Sequence, residues 1–285
     1  MQTLTRPEGT EPQDLHFSRR TLTKGATTMF FAGYAVAALA ADAKPITTSS
    51  DGIFVEEAHI PNGSSSPLPA YIARPRKPGR HPVVIVVNEV FGIHAYIKDI
   101  CRRLAHLGYV AVAPAFFYRS PVDLPASTDF KIIMATVSEA SDAQVDADVH
   151  AATNWMKAQP FANAHKIGIT GFCWGGAVVW RSCMVNADIK AGVAWYGHVE
   201  KLIARAGELH APVLGLYGAL DKGISQESLA DMRAAVAKAG KQAEIKVYPD
   251  AEHGFHADYR PSYNATDAAD GWARMLAHFK MHGVG

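Results

Sequence analysis

A cysteine occupies a Gly-x-Cys-x-Gly-Gly turn at residues 171–176, directly after an apolar run that begins at Ile167. Helix-forming residues follow at 177–180. This order is typical of a nucleophile elbow, the sharp strand-to-helix turn that holds a catalytic side chain above an α/β sheet. The flanking glycines are needed because the two backbones approach closely and the central residue is strained. Because Cys173 replaces the usual serine, the turn predicts nucleophilic attack by a thiolate.

A thiol nucleophile needs a base, and the base needs an acid that orients it. Asp221 follows an apolar strand pattern that ends at Tyr217, and His253 follows another that ends at Tyr248. Both residues therefore lie beyond the carboxyl ends of strands, on the same edge as Cys173, where open α/β sheets bind their ligands. The chain order of nucleophile, acid and histidine is that of this kind of site. We predict a triad of Cys173, His253 and Asp221.

Other residues near His253 compete for these roles. His256 is the closest rival for the base, and Asp250 and Glu252 compete for the acid, although both lie beside the histidine rather than on a separate strand end. A metal site formed by His253 and His256 is disfavoured because the pair lacks a helical context and further ligands. The sequence predicts neither a metal nor a cofactor.

The elements that must position these residues alternate between strand and helix patterns from residue 83 onward. This alternation predicts an α/β fold with a mostly parallel central sheet and helices on both faces. Two strands around a Pro- and Gly-containing turn at 61–69 predict an N-terminal antiparallel hairpin. The predicted strands are 52–60, 70–74, 81–87, 109–113, 166–170, 189–196, 212–217 and 243–248. The predicted helices are 97–107, 128–140, 142–158, 225–239 and 265–282.

Length and charge limit the function classes. A chain of 285 residues with 48% hydrophobic residues can bury its core as one large domain, which we assign to residues 44–285. The formal net charge of +1 provides no basic field, and no basic stripe is interleaved with aromatic residues. We therefore predict no nucleic-acid partner.

The N-terminal segment has the pattern of an export signal. Arg19 and Arg20 precede an apolar stretch at 29–40, and small residues follow at 41–43. This order predicts a twin-arginine signal peptide and leader over residues 1–43, with the twin-arginine export machinery as partner and the bacterial periplasm as destination. The apolar stretch is too short for a comfortable membrane span, so we expect no stable membrane insertion after processing. An amphipathic or uncleaved N-terminal anchor is the alternative interpretation.

The motifs together resemble those of the dienelactone hydrolase (carboxymethylenebutenolidase) family, which has the α/β-hydrolase fold. The matching segments are Gly171-Phe172-Cys173-Trp174-Gly175-Gly176, Leu216-Tyr217-Gly218 with Asp221, His253-Gly254-Phe255 and Asn88-Glu89-Val90-Phe91-Gly92. They occur in the family's order with family-like spacing, and the resemblance covers essentially the whole chain after residue 50. It implies a lactone or ester hydrolase whose triad forms a thioester acyl-enzyme.

The resemblance also implies roles for residues around the thiol. Glu89 would lie close to Cys173 and help to hold and release it as substrate binds. The backbone N–H groups of Val90 and Trp174 would form the oxyanion hole. The residues themselves agree with this assignment, because Trp174 follows the nucleophile and Val90 lies in the loop where the fold's second donor is usually found.

Substrate recognition departs from the family pattern. The family clamps a substrate carboxylate with two arginines, one of them shortly after the catalytic histidine. The fourth residue after His253 is Ala257, so Arg260 is the candidate in its place, and the second cation would come from Lys131 or Arg119. A lysine cannot reproduce the bidentate geometry of an arginine. Aromatic residues are the candidates for an apolar pocket, above all Phe91 and Trp195, with Trp174, Phe117 and Tyr118.

Two other function classes remain as alternatives. One is a binding or sensing protein that kept the fold without turnover. The other is a redox protein that uses Cys173 as a peroxidatic thiol, with Cys183 about two to three helical turns further on. Cys101 and Cys183 fall in amphipathic helical patterns, where buried and inert thiols are expected, and no disulfide is predicted.

Overall fold

A computed structural model describes residues 45–285 of the chain, and its centre is one eight-stranded sheet. The strands, numbered β1 to β8 in chain order, are Ile53–Ile60, Leu68–Pro75, His81–Val87, Val110–Pro114, Ala162–Phe172, Ile189–Trp195, Val213–Gly218 and Ala243–Tyr248. The α-helices, numbered α1 to α6, are Ala95–His106, Phe130–Glu139, Asp142–Lys157, Trp174–Val185, Gln226–Lys238 and Ala265–Met281. A 3₁₀ helix at Glu200–Glu208 connects β6 to β7.

The strands are arranged in the order β1-β2-β4-β3-β5-β6-β7-β8. The β1/β2 and β2/β4 pairs are antiparallel, and all the other pairs are parallel. The hairpin of β1 and β2 therefore forms one end of a sheet that is parallel from β4 onward. Since β3, β5, β6, β7 and β8 run in the same direction, their carboxyl ends meet at one edge, where the loops carrying the predicted site residues emerge.

Helices cover both faces of the sheet. A Cβ on Gly168 of β5 would meet Phe279 of α6, whereas a Cβ on Gly192 of β6 would meet Cys183 and Val179 of α4. Gly192 is paired with Ile169, the residue after Gly168, so the two glycines face opposite sides of the sheet. Helices α4 and α6 therefore lie on opposite faces. The apolar run of β3 is completely buried between such layers, as expected of a central parallel strand.

The predicted α/β-hydrolase architecture and the N-terminal hairpin are confirmed, with differences at element ends. Strand β5 begins at Ala162 rather than at residue 166, and β6 ends at Trp195, one residue earlier than predicted. The 3₁₀ helix was absent from the predicted elements. The predicted signal peptide lies outside the described residues. No helix within residues 45–285 is long and apolar enough to cross a membrane.

Candidate active site

Cys173 lies between the end of β5 and the start of α4, with φ 56° and ψ −117°. A positive φ is unusual for a side chain other than glycine, and a strained residue of this kind is typical of a nucleophile elbow. The backbone N–H of Cys173 donates to the Trp195 carbonyl at 3.0 Å, which ties the turn to the neighbouring strand β6. The cysteine side chain is partly exposed, whereas Cys101 and Cys183 are fully buried.

Glycines allow the elbow to form. A Cβ on Gly171 would lie 2.4 Å from the Gly175 carbonyl oxygen, and a Cβ on Gly175 would lie 2.6 Å from the Val87 oxygen. Both distances are far below van der Waals contact with backbone atoms that have no room to move. Helix α4 therefore starts directly against the carboxyl ends of β3 and β5, which positions Cys173 above the sheet edge.

His253 and Asp221 form a hydrogen-bonded pair at the same edge. The Nδ1 atom of His253 lies 2.7 Å from Oδ2 of Asp221, and the other carboxylate oxygen accepts the Gly223 N–H at 2.8 Å. Asp221 is 7% exposed and follows β7, whereas His253 follows β8. The second hydrogen bond fixes the carboxylate, which in turn fixes the imidazole ring and leaves its other nitrogen for the thiol.

The electrostatic surroundings favour a charged imidazole. Burial lowers the pKa of His253, but the charge of Cys173 and hydrogen bonds with Asp221 and Cys173 outweigh that effect and raise the pKa to about 10. The three side chains of the predicted triad are thus brought together. An imidazolium beside a cysteine is the arrangement that stabilises a thiolate nucleophile.

The rival residues lie in other environments. His256 is buried against Trp195 and Trp272, and its Nδ1 atom lies 2.7 Å from the Tyr96 hydroxyl. Burial, together with the charge of Arg103, lowers the pKa of His256 to about 3. This ring is therefore neutral and belongs to the core. Asp250 and Glu252 are exposed. Within the described residues, no cluster of three or more His, Cys, Asp or Glu side chains could hold a metal ion.

Glu89 is completely buried at the end of β3, where it is bound by three side chains. Its Oε1 atom lies 2.8 Å from Nη2 of Arg260, and its Oε2 atom accepts the Tyr259 hydroxyl at 2.5 Å. The Nε2 atom of His94 lies 3.4 Å from the same Oε2 atom. We call Glu89, His94, Tyr259 and Arg260 the Glu89 cluster. These contacts distinguish Glu89 from a carboxylate that simply lies on the surface at the end of a strand.

The Glu89 carboxyl remains ionised despite its burial. Burial raises its pKa, but the charge of Arg260 and the hydrogen bonds of His94 and Tyr259 lower it to about 2. The guanidinium of Arg260 also lies 5.3 Å from the centroid of the Phe91 ring. Phe91 is buried, and its ring is within the distance of a cation–π contact with Arg260.

The predicted oxyanion-hole donors lie on the two loops that flank the thiol. Trp174 is the first residue of α4, where a backbone N–H has no acceptor within its own helix. Val90 follows Glu89 in the loop after β3. Within residues 45–285, neither N–H donates to a backbone carbonyl outside the helices and strands. The predicted role of these two N–H groups requires that they are not used by such bonds.

Three predicted substrate-binding residues are placed elsewhere. Trp195 is fully buried, its Nε1 atom donates to Thr170 at 3.1 Å, and its ring faces α6, so its side chain belongs to the core in this structure. Arg119 is bound by Asp148 through two hydrogen bonds of 2.7 and 2.9 Å, so its guanidinium is paired with a carboxylate of this chain. Lys131 is exposed in the first turn of α2, and within the described residues its side chain does not join the Glu89 cluster.

Several residues of the site were missed by the sequence reasoning. His94 and Tyr259 complete the Glu89 cluster, and Tyr196 packs edge to face on His253 with ring centroids 5.1 Å apart. Only Tyr196 had a signal in the sequence, because it precedes a glycine at the predicted carboxyl end of a strand. Phe117 and Trp174, which were among the pocket candidates, contact each other with centroids 4.8 Å apart.

Comparisons with known proteins identify the family of this chain. The model of the dienelactone hydrolase family matches residues 68–283. The "Putative carboxymethylenebutenolidase" of Methylorubrum extorquens is 42% identical over 278 residues, which cover 94% of each chain. The relative of the same name from Escherichia coli K12 is 42% identical over 266 residues, or 88% of this chain and 96% of that protein.

A solved structure gives the same result. The crystal structure of a "Putative Dienelactone Hydrolase" from Klebsiella pneumoniae has a TM-score of 0.76 and 44% sequence identity, and the match covers 81% of this chain and 99% of that one. The matched region contains the elbow, the Glu89 cluster and both strand ends that carry Asp221 and His253. The chain therefore belongs to the dienelactone hydrolase family and is an enzyme of the lactone and ester hydrolase class with the α/β-hydrolase fold.

Proposed function

We propose that this enzyme hydrolyses lactone or ester bonds through a thioester formed on Cys173. The observation that carries the proposal is the line of side chains from Asp221 through His253 to Cys173, with a 2.7 Å bond between the first two and a pKa of about 10 for His253. A charged imidazole next to a strained, partly exposed thiol is suited to nucleophilic attack and has no evident structural purpose.

The reaction follows from these positions. His253 holds the proton of Cys173, and the thiolate attacks the carbonyl carbon of the substrate. The carbonyl oxygen becomes negative and is bound by the N–H groups of Val90 and Trp174. When the bond to the alcohol oxygen breaks, His253 gives its proton to that oxygen and a thioester remains. His253 then takes a proton from water, and the resulting attack releases the acid and restores the thiol pair.

Glu89 has a supporting role in this proposal. In the free enzyme its charge is bound by Arg260 and Tyr259 at 2.8 and 2.5 Å, so it acts as a fixed anion. A negatively charged substrate group that binds Arg260 would compete with Glu89 for the guanidinium. Glu89 would then be freed toward Cys173, in line with the role that its family resemblance implies.

The alternative functions have less support. A peroxidatic thiol needs a resolving partner, and Cys183 is buried in α4 with its pKa raised by burial. A binding protein without turnover would have no use for a complete hydrogen-bonded triad.

We also propose periplasmic localisation through the leader at residues 1–43. This localisation predicts that replacing both Arg19 and Arg20 by lysine retains the enzyme in the cytoplasm.

The decisive variants change the nucleophile and its base. C173A is expected to abolish hydrolysis of activated esters and enol-lactones, and H253A to reduce kcat by roughly 10³-fold or more. D221N is expected to lose activity with little change in KM, because it alters the orientation of the imidazole. Steady-state kinetics on a panel of neutral and carboxylate-bearing lactones measure these effects. Full activity of C173A on the panel would rule out the proposed mechanism.

A further inference from the structure

Asn88 is the first residue after strand β3, and its backbone packs against the nucleophile elbow. The residue is completely buried. A Cβ on Gly175, in the first turn of α4, would lie only 2.6 Å from the Asn88 carbonyl oxygen, so the chain and the helix are in close contact at this point. Asn88 therefore has a fixed place beside the helix that begins directly after Cys173.

The side-chain amide of Asn88 is bound to the backbone of the next residue. Its Nδ2 atom donates to the Glu89 carbonyl oxygen at 2.6 Å. The same oxygen accepts the Gly92 N–H at 3.2 Å, which closes a turn with Val90 and Phe91 at its centre. The turn alone thus gives the Glu89 carbonyl a hydrogen-bond partner, and the amide is not needed to satisfy it.

The oxygen of the same amide is a cost to the fold. Within residues 45–285 the Oδ1 atom of Asn88 is buried and has no hydrogen-bond partner. A buried acceptor without a partner costs stability, and natural structures retain few of them. An apolar side chain of the same shape would avoid this cost. The presence of an amide is therefore explained by the bond that its N–H group makes to the Glu89 carbonyl.

The Glu89 carbonyl belongs to the same peptide unit as the Val90 N–H. In a trans peptide the C=O and N–H groups lie in one plane and point in opposite directions. A bond that fixes the direction of the carbonyl therefore also fixes the direction of the N–H. Because hydrogen bonds in a chain polarise one another, donation by Asn88 to the carbonyl also makes the Val90 N–H a stronger donor.

We propose that Asn88 is a positioning residue that directs the Val90 N–H toward the oxygen that becomes negative when Cys173 attacks the substrate carbonyl. The inference rests on the proposed hydrolase function and adds to it a side chain that acts through the backbone of another residue. A preoriented donor stabilises charge that develops in the transition state, so the effect of Asn88 is expected on the chemical step more than on substrate binding.

The test compares two reactions of the Cys173 thiolate, only one of which creates an oxyanion. Acylation by an activated ester does so, whereas alkylation by iodoacetamide displaces iodide from carbon. N88L keeps the branched shape of the side chain and removes its N–H group. It is expected to slow acylation roughly 10- to 100-fold, and to leave the alkylation rate within about twofold of wild type. Stopped-flow release of the alcohol measures the first rate, and mass spectrometry of the alkylated protein measures the second.

N186A provides the matched control. Asn186 is also buried, at the opposite end of α4, where its Nδ2 atom donates to the Thr153 hydroxyl and its Oδ1 atom accepts the Asp188 N–H, each at 3.1 Å. This variant is expected to lose stability to urea, because it removes an amide with both atoms bonded. It is expected to keep the wild-type ratio of the acylation rate to the alkylation rate.

N88A serves as a second variant and is expected to slow acylation in the same way, although the space that it leaves lowers stability. A wild-type acylation rate in either Asn88 variant, or a fall of both reactions by the same factor, would overturn the proposal. So would a ratio in N186A that falls as far as the ratio in N88L. Full hydrolysis by C173A would instead refute the cysteine mechanism on which the proposal rests.

Discussion

Single residues of the site adopt backbone conformations that cost free energy and that nothing else in the fold requires. Cys173 and Tyr196 both have positive φ, and they lie at the ends of the neighbouring strands β5 and β6. Such conformations cost about 1–3 kcal/mol each. Their backbones are coupled through Trp195, whose carbonyl binds the Cys173 N–H. The local geometry thus favours one orientation of the thiol and the phenol relative to His253.

The charge state of His253 gives a prediction at this scale. Burial lowers the pKa of His253, but other effects raise it to about 10. The largest of these raising effects is the charge of Cys173. We expect NMR titration of the imidazole to show a protonated ring through neutral pH in wild type and a lower pKa in C173A. His256, with a pKa of about 3, remains neutral in both proteins and serves as the internal reference. An equal His253 pKa in the two proteins would contradict the coupling.

The positions of Cys173, Asp221 and His253 at strand ends could be predicted from the sequence, because each residue follows an apolar strand pattern. The substrate-binding residues could not, since aromatic and basic types alone do not show which way a side chain points. Trp195 and Tyr196 are adjacent, yet the turn after β6 buries the first against α6 and directs the second toward His253. The binding of Glu89 from three sides depends on His94 in its own loop and on Tyr259 in the loop after β8, and neither residue type marks such a contact in the sequence.

At the scale of elements, the close approach of α4 to the sheet decides where the nucleophile lies. A Cβ at Gly175 would overlap the Val87 and Asn88 carbonyl oxygens, both at 2.6 Å. We expect G175A to lower the free energy of unfolding by about 3 kcal/mol, and to reduce kcat further than this destabilisation explains, because Cys173 is displaced with the helix. Urea denaturation and kinetics below the unfolding range measure both effects.

Gly207 is the matched control for this variant. It lies in the 3₁₀ helix, and an added Cβ would meet only the Ala239 Cβ at 3.9 Å. G207A is therefore expected to change stability by less than about 0.5 kcal/mol and to leave kcat unaltered. If G175A were as stable and active as G207A, the close contact would not determine the elbow geometry.

The element order was predictable because long apolar runs and helical periodicities occur in regular alternation. The residues at which elements begin and end were less predictable. Strand β5 extends back to Ala162 through pairing of that residue with His81, a tertiary contact that polar residues in this segment conceal. The 3₁₀ helix at Glu200–Glu208 has only nine residues, and it packs between α4 and α5.

At the scale of the whole molecule, the Glu89 cluster joins loops from both halves of the sheet through one buried anion. Arg260 and Tyr259 come from the loop after β8, whereas Glu89 and His94 come from the loop after β3. An ionised and fully paired carboxylate at this junction contributes to global stability only while it remains ionised.

This coupling predicts a specific dependence of stability on pH. The pKa of Glu89 is about 2 in the folded protein, below its ordinary value of 4.5, so the unfolded chain binds more protons between these two values. The stabilisation is present above pH 4.5 and is lost as pH falls toward 2, by about 3 kcal/mol for the shift. We expect the acid limb of wild type to be steeper than that of E89Q in urea titrations at successive pH values.

Glu252 provides the control for the acid limb. It is exposed, so E252Q is expected to retain the wild-type dependence on pH. E89Q is also expected to be less stable at pH 7, because it leaves Arg260 buried without its anion. Parallel acid limbs in wild type and E89Q would show that Glu89 is not held as an anion in the folded protein.

Mass spectrometry of the enzyme, quenched in acid during turnover of an activated ester, shows whether hydrolysis passes through an acyl group on Cys173. We expect a mass increase equal to one acyl group on the peptide that contains Cys173. This adduct forms at a rate no slower than kcat and is absent in C173A. Turnover without any acyl adduct on Cys173, or an adduct on another residue that is retained in C173A, would contradict it.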